Sequence, residues 1–467
     1  MRSFALALGL GILLTAGAGG AAVGQKAEPT ARQPASSQAL ARAITPPGLK
    51  RQLVTLAAIA ARNGGTRAAG TPGYTESVAY VARRLRAAGY RPRLKTFSFE
   101  YFRETKPTVF ERVAPGLERY QWSRDFLTMR YSGGGDVTAK VVPIGGSSGC
   151  ADSDFTSFQA GAIALMTRGG CAFSQKAGAA QGAGAAAALI ANDGLPGRTA
   201  PISATLFGGG MRIPVLVISS GVGAELRRLA DVGTVRVHLD LSVATTRAQA
   251  ANVIADLPGR ESGVILLGGH LDSVANGPGI NDNGSGTAAV LEIARQARRL
   301  HVRPKHGLRF AFWGAEELGL VGSRSYVQSL SAPDRRRILG VINLDMVGSP
   351  NFDRIVYDGA DGPSGSRRIE NAFHSYFAAR RLPIEEESLG GSSDHASFAD
   401  VGIPVGGLFT GADDIKSSSS ARRFGGSANL PFDACYHKAC DTVANVDFRM
   451  LGQMADAAAV VAVRLAG

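Results

Sequence analysis

The chain lacks a long apolar run. The stretch from Phe4 to Leu14 is followed by small residues and falls short of the ~20 apolar residues that a bilayer-spanning helix needs. A stable helical membrane anchor is excluded on those grounds. Cysteine is scarce, with 4 in 467 residues, and none follows the leader to take a lipid. Acidic residues are outnumbered, 38 against 51 lysines and arginines, for a formal charge of +13. The surplus is scattered, and no basic run is interleaved with aromatics. That argues against a nucleic-acid partner and for an ordinary solvated surface.

What is present begins with an export signal. Arg2, the apolar run and small residues suited to a signal peptidase predict a signal peptide over 1–24, cut near Ala22. A secreted, extracellular protein is expected, without a membrane anchor. An oxidising compartment suits two disulfides, Cys150 with Cys171 and Cys435 with Cys440. Residues 25–46, rich in Ala, Pro, Gln and Ser, carry too few large apolar groups to build a core and read as a linker or propeptide.

The remaining length allows two or three domains. Helical spacing predicts a first helix from Leu49 and a second through "GYTESVAYVARRLRAAGY". Between about Phe110 and Thr245, short β-like runs such as "TAKVVPIG" and "GAIALMTRG" are separated by Gly-rich turns, the texture of an inserted module. From Ala251, strands and helices alternate, through "GVILLGGH", "LRFAFWGAEE" and "GVINLDMVG". Such alternation predicts an α/β fold with a parallel sheet flanked by helices. The expected division is 47–110 with 245–467 as one domain and 111–244 as the insert.

In sheets of this kind, sites collect at the carboxyl ends of the strands. His270, the pair Glu316 and Glu317, and Asp345 all stand at such ends. Unpaired charges gathered in a crevice repel one another and lose hydration, and a divalent metal resolves that conflict. Zinc accepts imidazole and carboxylate ligands, and two zincs need a bridging carboxylate. Asp282, in the glycine-rich "GINDNGSGTAA", is the candidate bridge. His270 and Asp345 would hold one metal. Glu317 and a second histidine, expected to be His437 in "CYHKAC", would hold the other. Asp272 would fix the His270 tautomer through the ring's other nitrogen. Glu316 would sit beside the metal-bound water as general base. His238, His301, His306 and His374 read as solvated or hydrogen-bonded, while His395 stands open between structure and catalysis.

Read together, "GGHLDSVANGPGINDNGSGTAAVLE", "RFAFWGAEELGLVGS", "NLDMVGSPN", "SSDHASF", "VGIPVGGLFTGA" and "FDACYHKACDT" resemble the secreted double-zinc aminopeptidases. These are relatives of aminopeptidase Y, and the likeness extends especially to the small actinobacterial leucine aminopeptidases. The resemblance covers 245–467 and implies a mixed, mostly parallel central sheet flanked by helices. It implies two zincs on His270, Asp282, Glu317, Asp345 and His437, with Glu316 as base and Tyr436 stabilising the oxyanion. It also implies a cis bond between Asp282 and Asn283. The substrate's amino terminus would rest on Glu316 and Asp345, beside an apolar pocket for which Met346 and Phe409 are plausible walls; a plain core role fits each of these two equally well. "GAIALMTRGGCAFSQKAGAAQGAGAAAALIAND" resembles a protease-associated domain, β-rich and non-catalytic, packed beside the active-site mouth.

Two positions depart from that pattern. Relatives carry arginine before the Ser-Asp-His block where this chain has Ser392, so one contact to the substrate backbone is missing or supplied elsewhere. Of the paired carboxylates that hold calcium in relatives, one falls at Gly452, leaving Asp456 alone and calcium modulation in doubt. The expectation is a monomeric, extracellular metallo-aminopeptidase acting on peptides with a large apolar first residue. The alternatives are a glutamate-releasing carboxypeptidase, a single-zinc glutaminyl cyclase, and a receptor-like binding protein that has lost its metals.

Overall fold

A computed structural model describes residues 37–145, 149–206 and 210–467. The expected signal peptide lies outside the described residues. Among those described, no helix is long and apolar enough to cross a membrane, and all four cysteines are paired, Cys150 with Cys171 and Cys435 with Cys440.

The run "GVILLGGH" is apolar almost throughout because both of its faces are covered, as in parallel sheets generally. Ile265 and Leu267 point into a core shared with the long helices, while Leu266 packs on the opposite side with Trp313, Tyr326 and Phe398. Its strand, Glu261–His270, lies between His306–Trp313 and Ile338–Leu344, and Val405–Phe409 follows, all mutually parallel. Arg93–Glu104 and Val243–Leu257 extend one edge antiparallel, and Ile355–Asp358 and Glu385–Ser388 extend the other. The result is a mixed sheet with a parallel centre, so His270, Trp313, Leu344 and Phe409 end along one border.

A second sheet is built from strands between Val109 and Leu241. Its parallel centre, Gly135–Pro143, Ile163–Thr167, Ala187–Ala191 and Val215–Ile218, surrounds a separate core of Val141, Leu165, Leu189, Leu216 and Leu239. The first strand of this sheet begins at Val109 and its last described strand ends at Leu241.

Three sequence expectations need correction. The expected linker, 25–46, is partly folded: Ser37–Ala43 is a helix, and Leu40, Ala41 and Ile44 are buried in the main core. One leucine among small residues suffices because the helix Phe448–Leu465 offers an Ala- and Val-rich face to pack against. The next helix begins at Pro46, ahead of Leu49, with the Thr45 hydroxyl accepting from the Gly48 amide at 3.3 Å as an N-cap. The strand Arg93–Glu104 was not anticipated, although it pairs along its length with Val243–Leu257 and ties the opening helices to the sheet. Its charged and polar residues suit an edge position, where the apolar alternation is weak.

Asp456, on the Phe448–Leu465 helix, keeps a buried Oδ1 without a hydrogen-bond partner. Burial pushes its carboxyl up to about 7, against Arg380. A carboxyl raised on folding costs stability as pH climbs from its unfolded value near 4 to about 7. Asp456→Asn should therefore raise unfolding stability at pH 8 by on the order of 1–2 kcal/mol, after discounting partial exposure. The gain should vanish at pH 4. Urea titrations at both pH values test this, and an equal gain at each would refute the burial argument.

Candidate active site

The loop after His270 has little secondary structure of its own and is held from outside. Arg67, fully buried, donates to the carbonyls of Leu271, Pro278 (2.9 Å) and Gly279 (2.5 Å). The Asp441 carboxylate accepts from the amides of Asn281 (2.8 Å) and Asp282 (3.0 Å). The bond between Asp282 and Asn283 is cis. The following helix, Gly284–Arg299, starts with the Asn283 side chain accepting from Gly286 at 2.8 Å. Gly286 lies so close to the neighbouring strand that a Cβ there would stand 2.1 Å from the Leu344 carbonyl.

These supports converge on Asp282. Its Oδ1 lies 3.2 Å from His270 Nε2, which is also 3.3 Å from Asp345 Oδ1. Its Oδ2 lies 3.1 Å from His437 Nε2, which is 3.2 Å from Glu317 Oε2. The carboxylate thus faces two nests, one with His270 and Asp345, the other with His437 and Glu317. Around a tetrahedral zinc with bonds of about 2.0–2.2 Å, ligand atoms stand roughly 3.3 Å apart, which matches both nests. Glu317 Oε1 and Asp345 Oδ1 are buried without hydrogen-bond partners, as atoms awaiting a cation would be. The donor set fits zinc.

Each imidazole is aimed by its far nitrogen. His270 Nδ1 faces the backbone carbonyl of Asp272 at 3.2 Å, and the Asp272 carboxylate stands farther away, at 3.7 Å. The carbonyl is thus the nearer partner of His270 Nδ1, with the carboxylate of the same residue behind it. The carboxylate also accepts from the amides of Glu316 (3.2 Å) and Glu317 (3.3 Å), and so sets the turn bearing both acids. That turn is flanked by left-handed residues, Ala315 at φ 54° and Leu320 at φ 61°. Met346 and His437 share this uncommon conformation. Such residues persist only where their surroundings over-determine them, often at functional sites.

Glu316 Oε2 is 3.9 Å from His270 Nε2, set back from the shorter contacts. Burial lifts its carboxyl well above the usual range; His270 opposes, and Asp394, Glu317 and Asp345 add to the rise. Burial works against ionisation of Asp282 too, but His270 and His437 outweigh it and hold this carboxyl below its usual range. Tyr436 stacks on His437 at 3.8 Å. Burial and the acids around it raise its hydroxyl well above 10, so it stays a proton donor. The Ser393 hydroxyl donates to Asp345 Oδ2 at 2.6 Å. His395, buried, meets the Leu389 carbonyl at 2.6 Å and packs on Tyr357, which fastens the loop that carries Ser392 and Ser393.

His270, Asp282, Glu316, Glu317, Asp345, Tyr436 and His437 open into one cleft of about 360 Å³. Met346, Phe409 and Tyr357 form an apolar wall, with the Phe409 and Tyr357 rings stacked at 6.4 Å. Ser392 lines the cleft as well, and the second sheet's domain contributes Arg130, Arg168 and Ser203 to Thr205. Arg67, Asp441 and Ser203 escaped the sequence reading. Asp441 follows Cys440 within a block already singled out and could have been noticed, but nothing local marks the other two.

This fold and site define a hydrolase whose catalytic groups gather at the C-terminal border of a parallel sheet. The chain belongs to peptidase family M28, whose pattern matches residues 252–462, and residues 137–226 match the PA domain. It is 40% identical over 441 residues to an aminopeptidase of Pseudomonas aeruginosa, covering 90% of this chain and 81% of that one. It is 37% identical over 392 residues to a probable leucine aminopeptidase 2 of Aspergillus fumigatus, covering 80% and 77%. The fold matches a zinc aminopeptidase from Bacillus subtilis with a TM-score of 0.69 at 24% identity, covering 90% and 94%. The chain is therefore an enzyme, a metallopeptidase of the M28 type.

Proposed function

We propose that this chain is an extracellular aminopeptidase that holds two zinc ions and releases large apolar residues from the amino termini of peptides. The observation that carries the reading is Asp282, which presents one oxygen to His270 and Asp345 and the other to His437 and Glu317. Bound there, the ions would supply Lewis acidity and lower the pKa of water.

The chain's own groups supply the rest. Glu316, set behind the ligands and with its carboxyl raised by burial, takes the water's proton and passes it to the departing amine. Tyr436 donates its hydroxyl to the developing oxyanion. The carboxylates of Glu316 and Asp345 attract the substrate's ammonium group. Met346, Phe409 and Tyr357 offer the first side chain an apolar wall, which supports a Leu-like preference. The two disulfides support an oxidising, extracellular setting.

A free amino terminus should be essential. Leucine p-nitroanilide should be hydrolysed with kcat/KM at least about a hundredfold above N-acetyl-leucine p-nitroanilide, the scale on which losing a buried charge contact acts. Equal turnover of the blocked substrate, or release of carboxyl-terminal glutamate, would overturn the reading. Leucine substrates should also outrun lysine and glutamate analogues.

A further inference from the structure

The two metal-binding histidines are aimed differently. His270 Nδ1 meets a carbonyl two residues along its own loop. His437 Nδ1 meets the Ser203 carbonyl at 3.0 Å, across 234 residues of sequence and from the inserted domain. A carbonyl can only accept, so this contact places the ring proton on Nδ1 and leaves the Nε2 lone pair facing Asp282 and Glu317.

The Ser203 carbonyl is itself fixed to the insert. The Arg130 amide donates to the Ala204 carbonyl, and the Leu206 amide to the Arg130 carbonyl, both at 3.0 Å. Ile202 and Leu206 are buried on either side. The insert in turn grips the loop that carries His437, through Lys438, and the neighbouring loop of Asp413 and Asp414, which is tied to it by the Asp433 amide on the Ala412 carbonyl (2.6 Å) and the Phe432 amide on the Asp414 carbonyl (3.1 Å). Arg168, in the Arg-Gly-Gly-Cys turn, forms an ion pair with Asp413 at 2.6 Å, with both side chains largely buried. Arg198 pairs with Asp193 at 2.5 Å and reaches toward Asp414 at 3.6 Å. Lys438, next to His437, donates to the Gly197 carbonyl at 3.2 Å. Ion pairs this sheltered are screened less than surface ones.

We propose that the inserted domain is a working part of the metal centre: through the Ser203 carbonyl and the Arg168–Asp413 latch it sets the tautomer and aim of His437, and hence the affinity of the second metal position. Arg168 and Ser203 are positioning residues, because they act through His437 and Asp413. The inference rests on the two-zinc reading above and deepens it, by making the insert necessary for loading one of the two sites.

The test compares the full chain with Arg168→Ala and with the charge-swapped double variant Arg168→Asp/Asp413→Arg. Zinc affinity is read by competition with a chromophoric chelator, and histidine tautomers by ¹⁵N NMR of the zinc-loaded protein. Partners of metal-binding histidines typically change affinity 10–100-fold. Arg168→Ala should weaken one zinc by at least about tenfold, leave the other within about twofold, and disturb the Nδ1–H signature of one histidine. The swapped pair should restore most of the loss. If Arg168→Ala proves unstable by circular dichroism, the milder Arg168→Lys and Lys438→Ala carry the same comparison. Two zincs bound by the parent, with neither affinity changed in any variant, would overturn this inference alone. A parent that binds fewer than two would overturn the two-zinc reading itself.

Discussion

Glu316→Gln should leave two zincs bound per chain and lower kcat by about 10³- to 10⁴-fold, the upper range for general acid–base catalysis and about 4–5 kcal/mol of barrier. The substitution keeps the shape of the side chain and removes its basicity. Glu316 stands 3.9 Å from His270 Nε2, whereas each ligand contact spans 3.1–3.3 Å. Metal retention and rate loss should therefore separate. The Asp272 carboxylate holds this turn by its backbone amides, so the turn should survive the change. Zinc content by mass spectrometry and steady-state kinetics on one amino-terminal substrate decide the matter. A rate within tenfold of the parent would remove Glu316 from proton transfer, and loss of zinc would make it a ligand.

Removal of metal should have a still larger effect. Dialysis against a strong chelator should bring hydrolysis below detection, and zinc should restore it. The same treatment should lower the melting temperature, because a ligand bound only by the folded state stabilises it by mass action. The buried cluster explains why the loss should be complete. Asp282, Glu316, Glu317 and Asp345 crowd around His270 and His437, and without cations protons are favoured on both histidines, by the acids beside them, and on Glu316 and Glu317, by burial. A group that has taken up a proton no longer serves as base or ligand. Hydrolysis that persists in verified metal-free protein would refute the mechanism.

Much of the candidate site was legible because its residues end strands. His270, Glu316, Glu317 and Asp345 each follow an apolar run whose strand character is local, and parallel strands bring such ends to one border. Asp282 was legible from the glycines around it. His437 depended on the resemblance and on its place between Cys435 and Cys440, since no strand precedes it. The strand Arg93–Glu104 was missed for the opposite reason: its alternation is broken by charged residues, and its partner lies about 150 residues away. The helix Ser37–Ala43 was missed because its burial depends on the apolar face of a helix at the other end of the chain.

By itself the sequence determined which chemistry was possible. It supplied two imidazoles and four carboxylates where strands and tight turns must end, with periodicities that dictate an α/β sheet, and these are properties of neighbouring residues. Tertiary structure decided how that chemistry is aimed. Arg67 beneath the loop after His270, Asp441 behind Asp282 and the Ser203 carbonyl behind His437 all reach the site from distant segments. Hydrogen bonds of that kind form only after packing has brought the segments within about 3 Å of each other, and no local pattern of residues encodes such a meeting.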